Sequence, residues 1–155
     1  MTPDHPMNED ERFMHVAIEQ AREGLAEGGI PIGAALVVDG RVLGAGRNRR
    51  VQQGSAIRHG ETDALEVAGR QSAVVYARAT MYTTLSPCDM CTGAILLYGI
   101  PRVVMGENRT FVGGEDYLRA RGVEVVNFDS AECVELMNEF IAAHPEIWNE
   151  DIGEE

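Results

Sequence analysis

Between Asp10 and Gly28 the apolar residues Met14, Ile18, Ala21 and Leu25 recur at spacings of four, three and four. Such spacing keeps them on one stripe of a helix that turns every 3.6 residues, and so predicts an amphipathic helix. Gly28-Gly29 ends it, because glycine enters the left-handed conformation that follows a helix at little cost, and Pro31 forbids continuation. The stretch "GAALVVDGRVLGAG" then places two apolar runs around Asp39-Gly40, a strong two-residue hairpin signal. A loop to Ser55 and a helix from near His59 to Gly69 follow. "ATMYTTL" (79–85), β-branched and aromatic, predicts a buried strand. Ser86 reads as a helix cap with Pro87 at the first position, Asp89 completing an approximate capping box; Gly99 and Pro101 close that helix. "RVVMG" and "VEVVNF" predict strands, "EDYLRARG" a short helix between them, and Asp129 to His144 a long amphipathic helix before the tail "PEIWNEDIGEE".

Strands therefore alternate with helices after an initial hairpin. Right-handed parallel crossovers are expected for the later units. The fold class is α/β: a three-layer α/β/α arrangement around a mixed five-stranded sheet, with an N-terminal antiparallel hairpin and later parallel strands. The 155 residues fit one domain (1–155), with 1–9 as a frayed lead-in and neither repeats nor low-complexity segments.

Composition narrows the partners. No run approaches the ~18 apolar residues of a membrane span. The polar, acidic start "MTPDHPMNEDER" lacks the features of a secretory signal. With an odd count of three cysteines, this favours a reducing, cytoplasmic location over a disulfide framework. A net charge of −12 argues against a large nucleic acid as partner, since phosphate binding depends on lysine and arginine. Arg47, Arg49, Arg50 and Arg58 form the local basic run, and read as a solvated loop.

Chemistry enters at Ser86-Pro87-Cys88-Asp89-Met90-Cys91, where two cysteines lie one turn apart at a helix start. The partial positive charge there favours thiolate over thiol. By itself C-x-x-C suits a redox pair, half of a structural zinc clamp, or half of a catalytic metal site. His59-Gly60-Glu61, also at a predicted helix start, discriminates among these. Three protein ligands with a water hold catalytic zinc, whereas structural zinc usually takes four. Cys133, among Val134, Met137 and Ile141, reads as an inert core thiol, and His5, His15 and His144 have no spacing that nominates a fourth ligand. Glu61 stands close enough to approach a metal-bound water without occupying the metal, and can take and pass on its proton. H-x-E followed by P-C-x-x-C is the signature of the zinc nucleobase deaminases.

With those motifs, "EGGIPIGAALV", "QGSAIRHGE", "TTLSPCDMCTGAILLYGIPR", "GEN", "RGVEVV" and the closing "EDIGE" make the chain resemble the yeast-type cytosine deaminases of the cytidine-deaminase-like superfamily, from about residue 13 onward. The resemblance implies a homodimer with one Zn2+ per subunit, acting on a small free nucleobase: cytosine and water give uracil and ammonia. It implies His59, Cys88 and Cys91 as zinc ligands and Glu61 as proton shuttle. Asn48 and the Gly60 N–H would hold the base's carbonyl oxygen, the Ser86 carbonyl would receive the departing amino group, and Asp151 would accept from the ring N–H. Phe111, Trp148, Ile32 and Leu85 would wall the pocket, with 145–155 closing over it. Without the resemblance, Asn48 reads as a turn residue and the tail as a disordered acidic segment. Arg47, Val51 and Arg58 depart from the family's pattern.

Competing readings keep the mechanism on another heterocycle (guanine, an aminotriazine, a pyrimidine nucleoside), or turn it on nucleic acid. A thiol oxidoreductase would leave His59-x-Glu61 unexplained, and a zinc-stabilised interaction module would need a fourth ligand.

Overall fold

The structure is a computed structural model and describes residues 7–154. Asn8 opens the first helix, α1 (Glu9–Ala26), by accepting the Glu11 N–H at 2.8 Å. Of the lead-in expected over 1–9, Asn8 and Glu9 belong to this cap and helix; residues 1–6, like Glu155, lie outside the described residues. Phe13, Met14, Ala17, Ile18 and Ala21 face the core. Leu25, which the periodicity places with them, is exposed instead, and Gly24, three residues after Ala21, continues the buried stripe.

The hairpin forms as the Asp39-Gly40 pair predicts. Both residues have positive φ (51° and 74°), and they join β1 (Gly33–Val38) to β2 (Arg41–Arg47) in antiparallel register. On its other edge β1 pairs antiparallel with β3 (Ala79–Thr83), which leads in parallel to β4 (Arg102–Met105) and β5 (Glu124–Asn127). The sheet order is β2-β1-β3-β4-β5.

Side chains along β1 alternate between two cores. Ala34, Leu36 and Val38 join Met81 and Val103 against α3 (Gly60–Ala68), α5 (Asp89–Leu97) and α6 (Glu115–Ala120). Ala35 and Val37 join Tyr82 and Val104 against α1 and α7 (Ala131–Ala143). Burial on both faces is why "GAALVV" is an unbroken apolar run rather than an alternating one. Three short helices complete the chain: α2 (Arg50–Gln53), α4 (Ala73–Tyr76) and α8 (Pro145–Asp151). The first falls in the stretch expected to be a loop, and the second in residues between Gly69 and Ala79 to which the pattern assigns no element. The last replaces a tail that, on composition alone, read as disordered: Pro145 starts the helix, and Trp148 packs beside Ile30, Ile32, Leu85, Met137 and Phe140.

This third cluster sits where β3 and β4 end and β1 begins. In α/β sheets such carboxyl ends are where ligands bind.

Candidate active site

Two helices begin at this edge, and a chemically active side chain stands at each start. His59 caps α3 and Cys88 caps α5, both with extended backbone. Their carbonyls accept the first helical bonds, from Asp63 and Thr92, each at 2.8 Å. Ser86 is therefore not the cap, nor Pro87 the first helical residue. The Ser86 hydroxyl is occupied elsewhere, donating to Glu115 at 2.7 Å and accepting from the Gly113 N–H at 2.9 Å. The strand expected over 79–85 likewise ends at Thr83, as Thr84 turns its hydroxyl to the Gly33 N–H.

The ligating atoms of His59, Cys88 and Cys91 all lie within 4.8 Å of one another, and no other such group of acids, histidines and cysteines occurs among the described residues. His59 Nδ1 is 3.4 Å from Cys88 Sγ, whereas Nε2 faces Asp151 Oδ1 at 3.2 Å. A carboxylate on the far nitrogen fixes the ring and leaves the near one for a metal, the usual second partner of a zinc-bound imidazole. The donor set therefore fits Zn2+: one nitrogen and two sulfurs converge, with no fourth side chain among them. Cys133 lies apart, buried between α7 and the sheet, where burial pushes its thiol up to about 11.

Electrostatics agree with that geometry. A hydrogen bond from Cys91, helped by His59 in spite of burial, holds Cys88 down to about 4, while the same bond and burial push Cys91 well up. Burial opposes charge on His59, but its bonds to Asp151 and Cys88 outweigh this and raise it to about 10. Metal binding must displace the protons these groups share. Glu61, in the first turn of α3, is only 4% exposed. Burial, reinforced by the Cys88 thiolate, pushes its carboxyl up to about 7, so it can hold or release a proton near neutrality.

Glu61 and Ser86 face a narrow inner cavity of about 20 Å³ with Ile32, Leu85, Phe111, Trp148, Asp151 and Ile152. Phe111 and Trp148 meet edge to face at 5.7 Å. A wider vestibule of about 390 Å³ opens outside, past Phe111, Asp151 and Ile152. Asn48 and Gly60 stand behind these walls rather than among them. Asn48 is wholly buried, its Oδ1 accepting the Arg50 N–H at 2.9 Å and its Nδ2 directed to Asp151 Oδ2 at 3.3 Å. Gly60 packs against Ile32 and Gly33.

The basic run is not a solvated loop. Arg50 binds Asp151 and Glu150, each at 2.7 Å; Arg49 and Arg58 bind Asp63; Arg47 binds Glu23 and Glu27. Sequence reading passed over Asp63, Glu115 and the role of Arg50. One signal was available: arginines gathered in one loop of a strongly acidic chain have carboxylates to find.

A mixed sheet that delivers a histidine and two cysteines from paired helix starts, with a buried glutamate beside them, defines a zinc-dependent deaminase. The chain belongs to the family described as the cytidine and deoxycytidylate deaminase zinc-binding region, whose model matches residues 7–107. It is 56% identical over 147 residues to a cytosine deaminase of Candida albicans, covering 94% of this chain and 98% of that one. It is 31% identical over 150 residues to tRNA-specific adenosine deaminase 2 of Xenopus tropicalis, covering 85% and 88% of the two chains. Among solved structures, a guanine deaminase from Nitrosomonas europaea shares the fold, with a TM-score of 0.70 at 24% identity over 91% of this chain and 88% of that one.

Proposed function

We propose that this protein hydrolyses free cytosine to uracil and ammonia, with Zn2+ held by His59, Cys88 and Cys91. The carrying observation is the buried Glu61 carboxyl, poised near neutrality and facing a narrow, largely apolar cavity beside three side chains that can hold a metal ion. High identity to a cytosine deaminase over nearly the whole chain supports the choice of base.

When bound, Zn2+ supplies Lewis acidity that yields a hydroxide-strength nucleophile near neutral pH. The protein's own groups do the rest. Glu61 takes the proton that water gives up and delivers it to the ring nitrogen beside C4, which makes C4 electrophilic. The water's oxygen bonds to C4, and a second transfer through Glu61 carries its remaining proton to the amino group, so that the C4–N bond breaks with ammonia leaving and the carbonyl of uracil remaining. The backbone carbonyl of Ser86 receives the departing group. Asp151, steered by Arg50 and His59, accepts from the ring N–H. With the Asn48 Oδ1 occupied by the Arg50 N–H and one amide hydrogen directed to Asp151, the second amide hydrogen reaches the base's carbonyl oxygen, together with the Gly60 N–H.

The inner cavity is narrower than a pyrimidine, so the helix carrying Trp148 and Asp151 acts as a closing segment that yields to admit the base. Residues 7–154 form one deaminase domain. The active form is a homodimer: Leu97 and Tyr98 present exposed apolar surface to an open groove of about 630 Å³ lined by residues of α3, α4 and α5. Static light scattering should give twice the chain mass; a monomer at micromolar concentration refutes the dimer. No helix among the described residues is long and apolar enough to cross a membrane. A cytoplasmic setting would keep Cys88 and Cys91 reduced for metal, and would place the uracil formed in pyrimidine salvage.

An ammonia-release panel over cytosine, cytidine, guanine, adenine and aminotriazines tests the substrate. Cytosine should give the highest kcat/KM; a purine or triazine outrunning it would overturn the assignment.

A further inference from the structure

A single carboxylate grips both halves of the site. Asp63, in the first turn of α3, has no exposed surface. Its Oδ2 accepts from the Arg47 backbone N–H at 2.9 Å and from Arg49 Nε at 3.0 Å, the two residues that flank Asn48. Its Oδ1 accepts from Nε and Nη2 of Arg58 at 2.8 and 2.5 Å, and Arg58 precedes His59. A backbone bond from the Arg49 N–H to the Arg58 carbonyl at 2.8 Å closes the link between the two segments. There is no slack beneath it. A Cβ on Gly46 would lie 2.4 Å from the Ala64 nitrogen, so β2 and α3 touch backbone to backbone.

We propose that Asp63 is a positioning residue. With Arg49 and Arg58 it fixes the Asn48 amide relative to His59, and so sets how the base lies over Glu61. The proposal rests on the deaminase reading above. The physical reason lies in burial. Exposed ion pairs hold geometry poorly, but here a fully buried carboxylate is shared by two guanidinium groups and a backbone N–H. Without it, two like charges would face each other in a partly desolvated space and part, carrying the flanks of Asn48 away from the metal ligands. A carboxylate that merely stabilised the fold would have no reason to bond both neighbours of the base-reading amide and the neighbour of a metal ligand.

Asp63→Asn risks misfolding, so the principal variant is Arg49→Met, which leaves Asp63 paired with Arg58 and the Arg47 N–H. In zinc-loaded protein, Arg49→Met should raise the KM for cytosine about tenfold with kcat changed less than about threefold, and retain zinc at the wild-type ratio. Because Arg49 acts through Asn48, Asn48→Ala/Arg49→Met should be no worse in KM than Asn48→Ala alone. Penalties that multiply, or an unchanged KM in Arg49→Met, would overturn the proposal. Amide hydrogen exchange gives a substrate-independent readout: the Asn48 and Arg49 amides should lose protection together in Arg49→Met, and unaltered protection there also overturns it. Should wild-type protein release no ammonia from cytosine, the function reading falls, and the exchange result still decides the clamp.

Discussion

The two ends of the sheet use the same residue types to opposite effect. At the carboxyl ends of β3 and β4, Glu61, Asp63 and Asp151 are buried, and the latter two are bound by arginines. At the other end, Asp10 on α1 pairs with Arg102 of β4 at 2.8 Å and accepts from the Tyr82 hydroxyl at 2.7 Å, with Glu124 alongside, but these charges are only partly covered. One end places acids where water cannot compete with their partners, while the other staples a helix to the sheet in reach of solvent. An acid–arginine pair is thus informative about function through what it fastens and how dry it is, not through its presence.

The two ends should respond to perturbation by very different amounts. The largest concerns the metal. Treating the protein with a strong chelator should remove all turnover, and added Zn2+ should restore it; activity that persists in metal-free protein would break the distinction at its root. Next is Glu61→Gln, expected to cut kcat by about 10²- to 10⁴-fold, the usual worth of a general acid–base group, while zinc content by elemental analysis stays unchanged. Because this substitution removes a buried carboxyl that burial disfavours in its charged form, thermal stability should hold or rise. A Glu61→Gln enzyme with near-normal turnover would transfer the proton-handling role elsewhere.

Trp148→Ala should come third. It opens the Phe111 edge-to-face contact and the wall around Ile32 and Leu85, so KM for cytosine should rise more than kcat falls, with a stability loss of about 2–4 kcal/mol on denaturant unfolding. A stability loss with KM unmoved would make α8 packing alone, not a closing segment.

How much of this was legible follows the same division. The hairpin and the long helices α1 and α7 are written in Asp39-Gly40 and in periodicity, because those signals are local. The metal cluster was legible because its residues sit at two helix starts in a spacing that few other chemistries use. The start of α5 was misplaced by two residues: Ser86 has cap chemistry, but Glu115 and Gly113, far along the chain, claim its hydroxyl. Asp63 was invisible for a related reason. Its partners Arg47 and Arg49 lie across a loop, and nothing in local pattern distinguishes a buried helix-start acid from an exposed one. On composition alone the tail reads as disordered, because three of the residues beside Trp148, namely Ile30, Ile32 and Leu85, lie next to β-strand ends more than sixty residues away.

The smallest effect belongs to the far end, and it has a distinct signature in pH. The hydrogen bond from Arg102 holds the Asp10 carboxyl below its ordinary value, with Tyr82 assisting against partial burial. A carboxyl lowered in the folded state favours folding when ionised. The stabilisation is therefore complete above the unfolded value near 4 and fades as pH falls through the lower folded value. Asp10→Asn should accordingly cost about 1 kcal/mol or less at pH 7, a shift of roughly 2–4 °C in Tm, and the two proteins should converge as pH drops below about 4. Both kcat and KM for cytosine should stay at wild-type values, since Asp10 touches no residue of the pocket. If Asp10→Asn instead altered KM, the two ends would be mechanically coupled through β3 and β4, and the division between a dry functional end and a wet structural one would fail.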